Sequence, residues 1–286
     1  MLTAKQLQAF NTDGYLRLPG MIPSALLKRL HQLFDELMVP EVDAETAVHE
    51  NKGKKYITNL DNICPKGNLA CLELLGYPPV LETAKSICGD DFFLIQEFAV
   101  IKNLGDELPV YWHQDMGHRR SGNCFTMGIY LDNADEEDGA LRVIPGSHLT
   151  DKNICESSKE PYAEQPMHAG DILIHDMMLA HSSGVLKKNI LRRVIYFEFL
   201  SSAHVAAENI YTKELVQRRT RLQHAATRHY QLIHPEEKIF EHPLPNPCTS
   251  DDEIEIKIIL EEIYSLPINA RPSTYCFDNT IAFSLA

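Results

Sequence analysis

A histidine and an aspartate placed two residues apart are the first residues of this chain that could do chemistry together. They are His113 and Asp115, within the segment Tyr-Trp-His-Gln-Asp at residues 111–115. Alternate residues of a β-strand share a face, so both side chains could reach one metal ion. A second histidine from a distant strand would complete a triad of two histidines and one carboxylate. Such a triad leaves coordination positions open and suits iron(II) and oxygen chemistry.

The His-x-Asp pattern alone is weak evidence, because thirteen histidines and forty acidic residues in 286 predict about two such matches by chance. A second match lies at residues 234–236, but a proline occupies its centre and no strand pattern surrounds it. The first match has a stronger context. His181 follows it, and Arg192 comes eleven residues later at the start of an apolar segment. An arginine on a strand can bind a carboxylate through two parallel hydrogen bonds, which lysine does less well.

Short apolar or β-branched segments in the middle of the chain must position these residues. Turn residues separate them, and this alternation predicts a β-sandwich or barrel. The predicted strands are residues 92–102, 125–131, 140–144, 171–175 and 193–200. Helical spacing of apolar residues predicts helices at 3–11, 23–38 and 78–88, the second capped by Ser24.

The chain after residue 205 returns to a helical pattern. Residues 206–233 carry several basic residues, which we interpret as a solvated helix face. Three prolines in residues 241–251 indicate a linker, and residues 252–264 predict an acidic helix. We expect a single domain over residues 1–286, in which residues 206–286 form a helical C-terminal extension that serves as a lid or a dimer contact.

Composition and charge exclude several classes of protein. Hydrophobic residues make up 44% and charged residues 23%, as in soluble globular proteins. A net charge of -13 opposes binding to nucleic acid. The seven cysteines include no Cys-x-x-Cys pair, which predicts reduced thiols rather than a disulfide framework. No signal core or membrane-length apolar run is present, so we expect a cytoplasmic protein without a membrane partner.

Several motifs together resemble the phytanoyl-CoA dioxygenase family of iron(II)- and 2-oxoglutarate-dependent oxygenases. They are residues 10–15, the His-Gln-Asp motif at 113–115, residues 139–148, and the segment from residue 170 through His181 to Arg192. Their order and spacing cover a core of about residues 8–205. The resemblance implies a mainly β fold with flanking helices, namely a double-stranded β-helix, which is a cupin-like jelly roll.

The resemblance also implies a site. His113, Asp115 and His181 would bind the iron(II) and so carry the catalysis, and Arg192 would bind the distal carboxylate of 2-oxoglutarate. Arg193 would point to the opposite face of its strand. The other carboxylate of the cosubstrate would contact one of three polar residues on neighbouring strands. These are Thr126, which we favour, Gln96 and Lys102.

The implied activity is hydroxylation or desaturation of a small organic metabolite with O2, releasing succinate and CO2. Loops at a barrel mouth often carry substrate contacts, so His118, Arg119 and Arg120 suggest an anionic substrate. The protein would be a monomer or a homodimer. Two alternatives stay open: a cupin-type metal enzyme that does not use 2-oxoglutarate, and a non-catalytic barrel used for binding. His175 is a further candidate ligand, which we interpret as a core residue or a partner of the ligands.

Overall fold

The computed structural model describes residues 1–39, 45–116, 122–208, 211–268 and 273–283. Two antiparallel sheets form its body. The strands are β1 (Tyr15–Leu18), β2 (Thr46–Asn51), β3 (Lys54–Asp61), β4 (Phe92–Asn103), β5 (Val110–Gln114), β6 (Cys124–Tyr130), β7 (Leu141–Val143), β8 (Ala163–Gln165), β9 (Ile172–Asp176), β10 (His181–Ser183), β11 (Leu191–Ser201), β12 (Thr274–Phe277) and β13 (Thr280–Phe283). The helices are α1 (Ala4–Asp13), α2 (Ser24–Leu37), α3 (Ala70–Gly76), α4 (Pro78–Cys88), α5 (Ile154–Ser157), α6 (Ser202–Glu208), α7 (Lys213–Ile233) and α8 (Ile256–Tyr264).

The order of the strands confirms the predicted fold class, a double-stranded β-helix with flanking helices. The larger sheet runs β1-β9-β6-β11-β4-β3-β2, and the smaller sheet runs β13-β12-β5-β10-β7-β8. Each of the five predicted strands is present with ends shifted by at most two residues. The non-consecutive neighbours bring strands that are far apart in sequence side by side, which is how the jelly roll assembles one site from several segments.

Strand β11 shows why its sequence is apolar almost throughout. Ile195 and Phe197 face the core under α3, α4 and α7, whereas Val194 and Tyr196 face the interior between the sheets. A strand covered on both faces reads as a continuous apolar run instead of an alternating one. The charged residues within such a run are therefore exceptional, and their partners show what each of them does.

The N-terminal helices begin and end near their predicted positions, but one predicted cap is wrong. Thr3 caps α1 and shares a reciprocal capping box with Gln6. In α2, Pro23 occupies the N-cap position and makes no side-chain hydrogen bond, so Ser24 is the first helical residue and does not cap. The fixed φ of proline accounts for this shift of the helix start.

The C-terminal extension is more than a set of helices. Helix α7 packs on α3 and β4, and β12 adds to the edge of β5. The prediction of a solvated basic face on α7 is wrong at Arg219, which is fully buried and forms an ion pair with Glu97 of β4. These contacts support our proposal that residues 1–286 form one domain. The linker and the last predicted helix correspond to a loop with a short 3-10 turn, followed by α8.

Two of the seven cysteines correct the prediction of reduced thiols. Cys155 of α5 and Cys276 of β12 form a disulfide with an S–S distance of 2.04 Å. The partners are 121 residues apart in sequence, so only the paired strands bring them together. The other five cysteines form no disulfide. Among the described helices, none has both the length and the apolar character needed to cross a membrane.

Candidate metal and cosubstrate site

His113, Asp115 and His181 meet between the two sheets. His113 of β5 and His181 of β10 are directly paired across neighbouring strands, and Asp115 follows the end of β5. The Nε2 atoms of both histidines lie 3.4 Å from Oδ1 of Asp115. The ligand atoms of the three residues all lie within 4.8 Å of one another, and these residues form the one such cluster in the described part of the chain.

Backbone carbonyls fix which nitrogen of each histidine faces the cluster. Nδ1 of His113 lies 2.8 Å from the carbonyl oxygen of Tyr111, and Nδ1 of His181 lies 2.9 Å from that of Leu179. A carbonyl oxygen only accepts, so each Nδ1–H donates and each Nε2 keeps its lone pair for a metal. Burial and the nearby His113 hold the pKa of His181 well below its usual value, which favours the neutral, metal-binding imidazole.

The carboxylate of Asp115 is held in place by two further side chains. Thr126 Oγ1 donates to Asp115 Oδ2 at 2.7 Å, and His175 Nε2 lies 3.0 Å from the same oxygen. Burial alone would raise the pKa of Asp115, but the surrounding imidazoles hold it well below the usual range. Oδ1 is thus directed towards the two ligand histidines. His175 contacts the carboxylate, as the interpretation of it as a partner of the ligands requires.

Arg192 is a buried cation without a counter-ion among the described residues. Its side chain is 1% exposed on the inner face of β11. Nη1 donates to the carbonyl oxygen of Gly139 at 2.5 Å, and the guanidinium lies over the ring of Tyr130. Nε of Arg192 and the hydroxyl of Tyr130 are buried without hydrogen-bond partners. Because burying an unpaired charge is costly, this arrangement fits a carboxylate ligand.

Arg193 provides the internal comparison. It points to the opposite face of β11, and its guanidinium donates to both carboxylate oxygens of Asp132, each at 2.9 Å. This bidentate pair satisfies Arg193 within the chain. The placement of the two arginines follows the alternation of side chains along a strand, which predicted that Arg193 points away from the face of Arg192.

The remaining predicted contacts of the cosubstrate divide between two places. Lys102 of β4 pairs directly with Arg192 across the strands, and its Nζ donates to the carbonyl oxygen of Leu108 at 2.9 Å. Burial and the nearby Arg192 lower the pKa of Lys102 to about 7. Gln96 lies six residues away on the same face, where its Nε2 donates to Glu198 Oε2 at 2.6 Å. Thr126 of β6 pairs with Glu198 on the other side of β11, and its hydroxyl contacts Asp115.

Two cavities meet at the triad. The first is enclosed by both sheets, and its lining includes the triad, Thr126, His175, Ser183, Tyr196 and Arg192. The second has a volume of about 410 Å³, which lies in the usual range for small-molecule sites. Its lining includes Asn59, Asp61, Gln96, Tyr111, Glu198, Ser273 and Tyr275. Both cavities share His113, Asp115, Phe98, Val100 and Val110.

Some residues around the triad were not predicted from the sequence. Tyr275 of β12 stacks on the ring of His113, with centroids 4.7 Å apart and planes 8° apart. Glu198 is 5% exposed in the wall of the second cavity. A lone acidic residue in the apolar strand 193–200 was a usable signal for Glu198, whereas nothing near Tyr275 pointed to the site. The predicted substrate contacts His118, Arg119 and Arg120 lie outside the described residues.

Comparisons with known proteins agree with this geometry. The family model "Phytanoyl-CoA dioxygenase (PhyH)" matches residues 10–194. L-proline trans-4-hydroxylase from Streptomyces griseoviridis is 26% identical over 165 residues, which are 54% of this chain and 58% of that protein. Ectoine dioxygenase from Sphingopyxis alaskensis is 26% identical over 157 residues, which are 52% of this chain and 51% of that protein. The chain therefore spans little more than half the length of the curated relatives it matches.

A solved structure shows the same fold. The structure of EctD from S. alaskensis with 2-oxoglutarate and 5-hydroxyectoine aligns with a TM-score of 0.60 and 20% identity. The alignment covers 71% of this chain and 77% of that protein. The family match and the donor set of the triad support iron(II) and 2-oxoglutarate, the cofactors predicted from the sequence.

Proposed function

Since the chain belongs to the phytanoyl-CoA dioxygenase family, we propose that it is an iron(II)- and 2-oxoglutarate-dependent dioxygenase. It hydroxylates or desaturates a small organic metabolite and releases succinate and CO2. The observation that carries this proposal is the combination of a two-histidine, one-carboxylate triad with a buried arginine that lacks a counter-ion. The names of the relatives, a proline hydroxylase and an ectoine dioxygenase, support the reaction class.

The residues of the site have separate roles in this function. His113, Asp115 and His181 would hold the metal through ligand atoms that lie within 4.8 Å of one another. Arg192 binds the distal carboxylate of 2-oxoglutarate, and Lys102 adds positive charge beside it. Iron and 2-oxoglutarate, when bound, supply oxygen activation coupled to oxidative decarboxylation. The protein contributes orientation: it holds the cosubstrate in the enclosed cavity and the substrate in the second cavity, with the metal between them.

The predicted contact of the other cosubstrate carboxylate stays a prediction. Thr126 reaches Asp115 instead of pointing freely into the cavity, which supports a role in orienting the metal ligand. Gln96 lines the second cavity, which supports a role on the substrate side. The small-molecule partner, the monomeric or dimeric state and the cytoplasmic location also stay predictions. The Cys155–Cys276 disulfide does not support the last of these.

Arg192 separates our proposal from the cupin-type alternative. A metal enzyme that does not use 2-oxoglutarate has no task for a buried cation whose Nε lacks a partner. A non-catalytic barrel has no task for three metal-binding atoms arranged within 4.8 Å. Under either alternative, some of the buried charge would destabilise the fold without binding a ligand.

The test is an anaerobic titration of the apoprotein with ferrous iron and then 2-oxoglutarate, followed in the visible spectrum. We expect the weak charge-transfer band that a chelated keto acid gives with iron(II). We expect His181→Ala to abolish the band, because a lost ligand breaks the triad. We expect His148→Ala to retain it, because His148 lies in a turn after β7, contacts the carbonyl oxygen of Asn11 and lines neither cavity at the triad. Iron binding without a band would support the cupin-type alternative, and no iron binding would support the non-catalytic barrel.

A further inference from the structure

The second cavity carries a charge pattern that differs from that of the enclosed one. Its described lining contains three acidic side chains, Asp61, Asp115 and Glu198, and no lysine or arginine. Asp115 belongs to the triad, and Asp61 is an exposed residue of the cavity lining. Glu198 is the buried carboxyl group of the wall. It is therefore the group that a bound molecule would meet next to the metal.

Glu198 is held in one orientation and lacks a cationic partner in the described part of the chain. Gln96 donates to Oε2 at 2.6 Å, and no described basic residue forms an ion pair with it. A buried carboxyl group of this kind is relieved by a ligand that supplies a positive charge or a hydrogen-bond donor.

Aromatic rings complete the same wall. Phe98, Tyr111 and Tyr275 line the cavity together with Gln96 and Glu198. Aromatic faces attract ammonium groups through the negative potential above the ring, and the attraction grows when water is excluded. A cavity lined by a buried carboxyl group and by aromatic rings is thus better suited to an organic cation than to an anion or a neutral alcohol.

We infer that the second cavity binds the ammonium group of an amine-bearing substrate, with Glu198 as its counter-ion and Gln96 as the residue that orients Glu198. This inference rests on the proposed function, because it names the substrate class of the same site. It departs from the anionic substrate predicted from His118, Arg119 and Arg120. Among the residues that the structure describes, the wall next to the metal is acidic and aromatic.

The test uses three probes of equal chain length: n-butylammonium, n-butanol and butyrate. Each is titrated anaerobically at neutral pH, in an amine-free buffer, into protein loaded with iron(II) and 2-oxoglutarate. Paramagnetic broadening of the probe protons reports both binding and closeness to the metal. We expect n-butylammonium to bind at least about tenfold more tightly than the other two probes. Equal affinities, or tighter binding of butyrate, would overturn the inference.

Glu198→Gln is the decisive variant, because it keeps the shape and removes the ionisable group. We expect it to weaken n-butylammonium binding by at least about tenfold. Glu50→Gln, an exposed site on β2, should leave binding unchanged. The charge-transfer band of the iron and 2-oxoglutarate complex should persist in Glu198→Gln, which excludes unfolding as the cause. If Glu198→Gln keeps the band and binds n-butylammonium as tightly as the wild type, the assignment of Glu198 as the counter-ion is wrong.

Failure of this inference can be told apart from failure of the proposed function. If the band forms and n-butylammonium does not bind, the function stands and the substrate class is wrong. If no band forms, the same titration on the apoprotein, followed by the line width of the probe, still tests the ammonium site. Loss of that binding in Glu198→Gln would then support the site without the dioxygenase.

Discussion

Strands β4 and β11 pair along their length, and the two ends of their shared inner face differ in charge. Lys102 and Arg192 face each other at one end, and Gln96 and Glu198 face each other at the other. Six residues separate the ends on each strand, which corresponds to about 20 Å. The stacked rings of Phe98 and Tyr196 lie between them. One paired ladder thus carries a cationic end, an aromatic middle and an acidic end.

The ion-pair partners of the buried charges explain the difference between the inner and outer faces of these strands. The outer face of the same strands also carries buried charges, but those have partners within the chain, as in the pairs Glu97–Arg219 and Arg193–Asp132. Arg192 and Glu198 have no ion-pair partner in the described part of the chain. A buried charge that is paired inside the chain belongs to the fold, and one that is unpaired beside a cavity is a candidate for ligand binding.

The largest expected effect is at the cationic end. We expect Arg192→Lys to weaken 2-oxoglutarate binding by about 30- to 100-fold, equivalent to about 2–3 kcal/mol, because lysine cannot form the bidentate contact. The matched control is Arg193→Lys, the same change on the next residue, which should alter the affinity less than about twofold. The affinity is measured from the charge-transfer band during an anaerobic titration with the keto acid.

Arg192→Lys and Arg193→Lys also test whether the cationic and acidic ends of the ladder bind their ligands independently. Arg192→Lys should leave the affinity for n-butylammonium within about twofold in the absence of 2-oxoglutarate, because the two sites are about 20 Å apart along the strands. Equal losses of 2-oxoglutarate binding in both lysine variants would mean that the arginines act through the stability of β11 rather than through a ligand.

Thr126 of β6 tests the metal site beside the acidic end, because it pairs with Glu198 across the strands and its hydroxyl contacts Asp115. We expect Thr126→Val to lower the affinity for iron(II) by about tenfold, because the hydrogen bond to Asp115 that orients the carboxylate is lost. Thr126→Ser keeps the hydroxyl and should retain most of the affinity. Anaerobic iron titration measures both variants. A normal iron affinity with weakened 2-oxoglutarate binding would instead support the role first predicted for Thr126, at the cosubstrate carboxylate.

The sequence predicted the cationic end better than the acidic end, for a physical reason. Arg192 could be found because the family resemblance assigns the cosubstrate contact to an arginine eleven residues after His181, and strand alternation then directs Arg193 to the other face. The five core strands were found because turn residues separate apolar runs of the right length. His113 lies near the end of β5 and Asp115 directly follows that strand, so local spacing places the two together once the surrounding motifs identify the match.

The acidic end depends on contacts that no local pattern encodes. Glu198 contacts Gln96, which is 102 residues away in sequence, and Tyr275 reaches His113 only because β12 joins the edge of β5. The disulfide between Cys155 and Cys276 depends on the same addition of β12, and the wrong prediction of reduced thiols has that cause. Long-range strand order is set by the packing of the whole domain rather than by local sequence.

The smallest expected effect concerns Lys102. The pH dependence of the affinity for 2-oxoglutarate tests whether Lys102 contributes to binding at the cationic end. The pKa of Lys102 is lowered from 10.5 to about 7 by burial and by the nearby Arg192. A bound dianion would raise this pKa again, so wild-type affinity for 2-oxoglutarate should be highest below pH 7. It should fall as the pH rises from 7 towards the raised value and then level off.

Replacing Lys102 by methionine should remove that slope. We expect Lys102→Met to bind 2-oxoglutarate about three- to tenfold more weakly below pH 7, with a difference from the wild type that shrinks above it. The ratio of the two affinities at each pH cancels the titration of the histidine ligands, which both proteins share. The apoprotein provides an independent check: unfolded lysine binds more protons than Lys102 between pH 7 and 10.5, so wild-type stability should rise with pH in that window relative to the variant. A constant ratio of affinities across pH 6 to 9 would mean that Lys102 has a structural role. Arg192 would then be the cation that contacts the ligand.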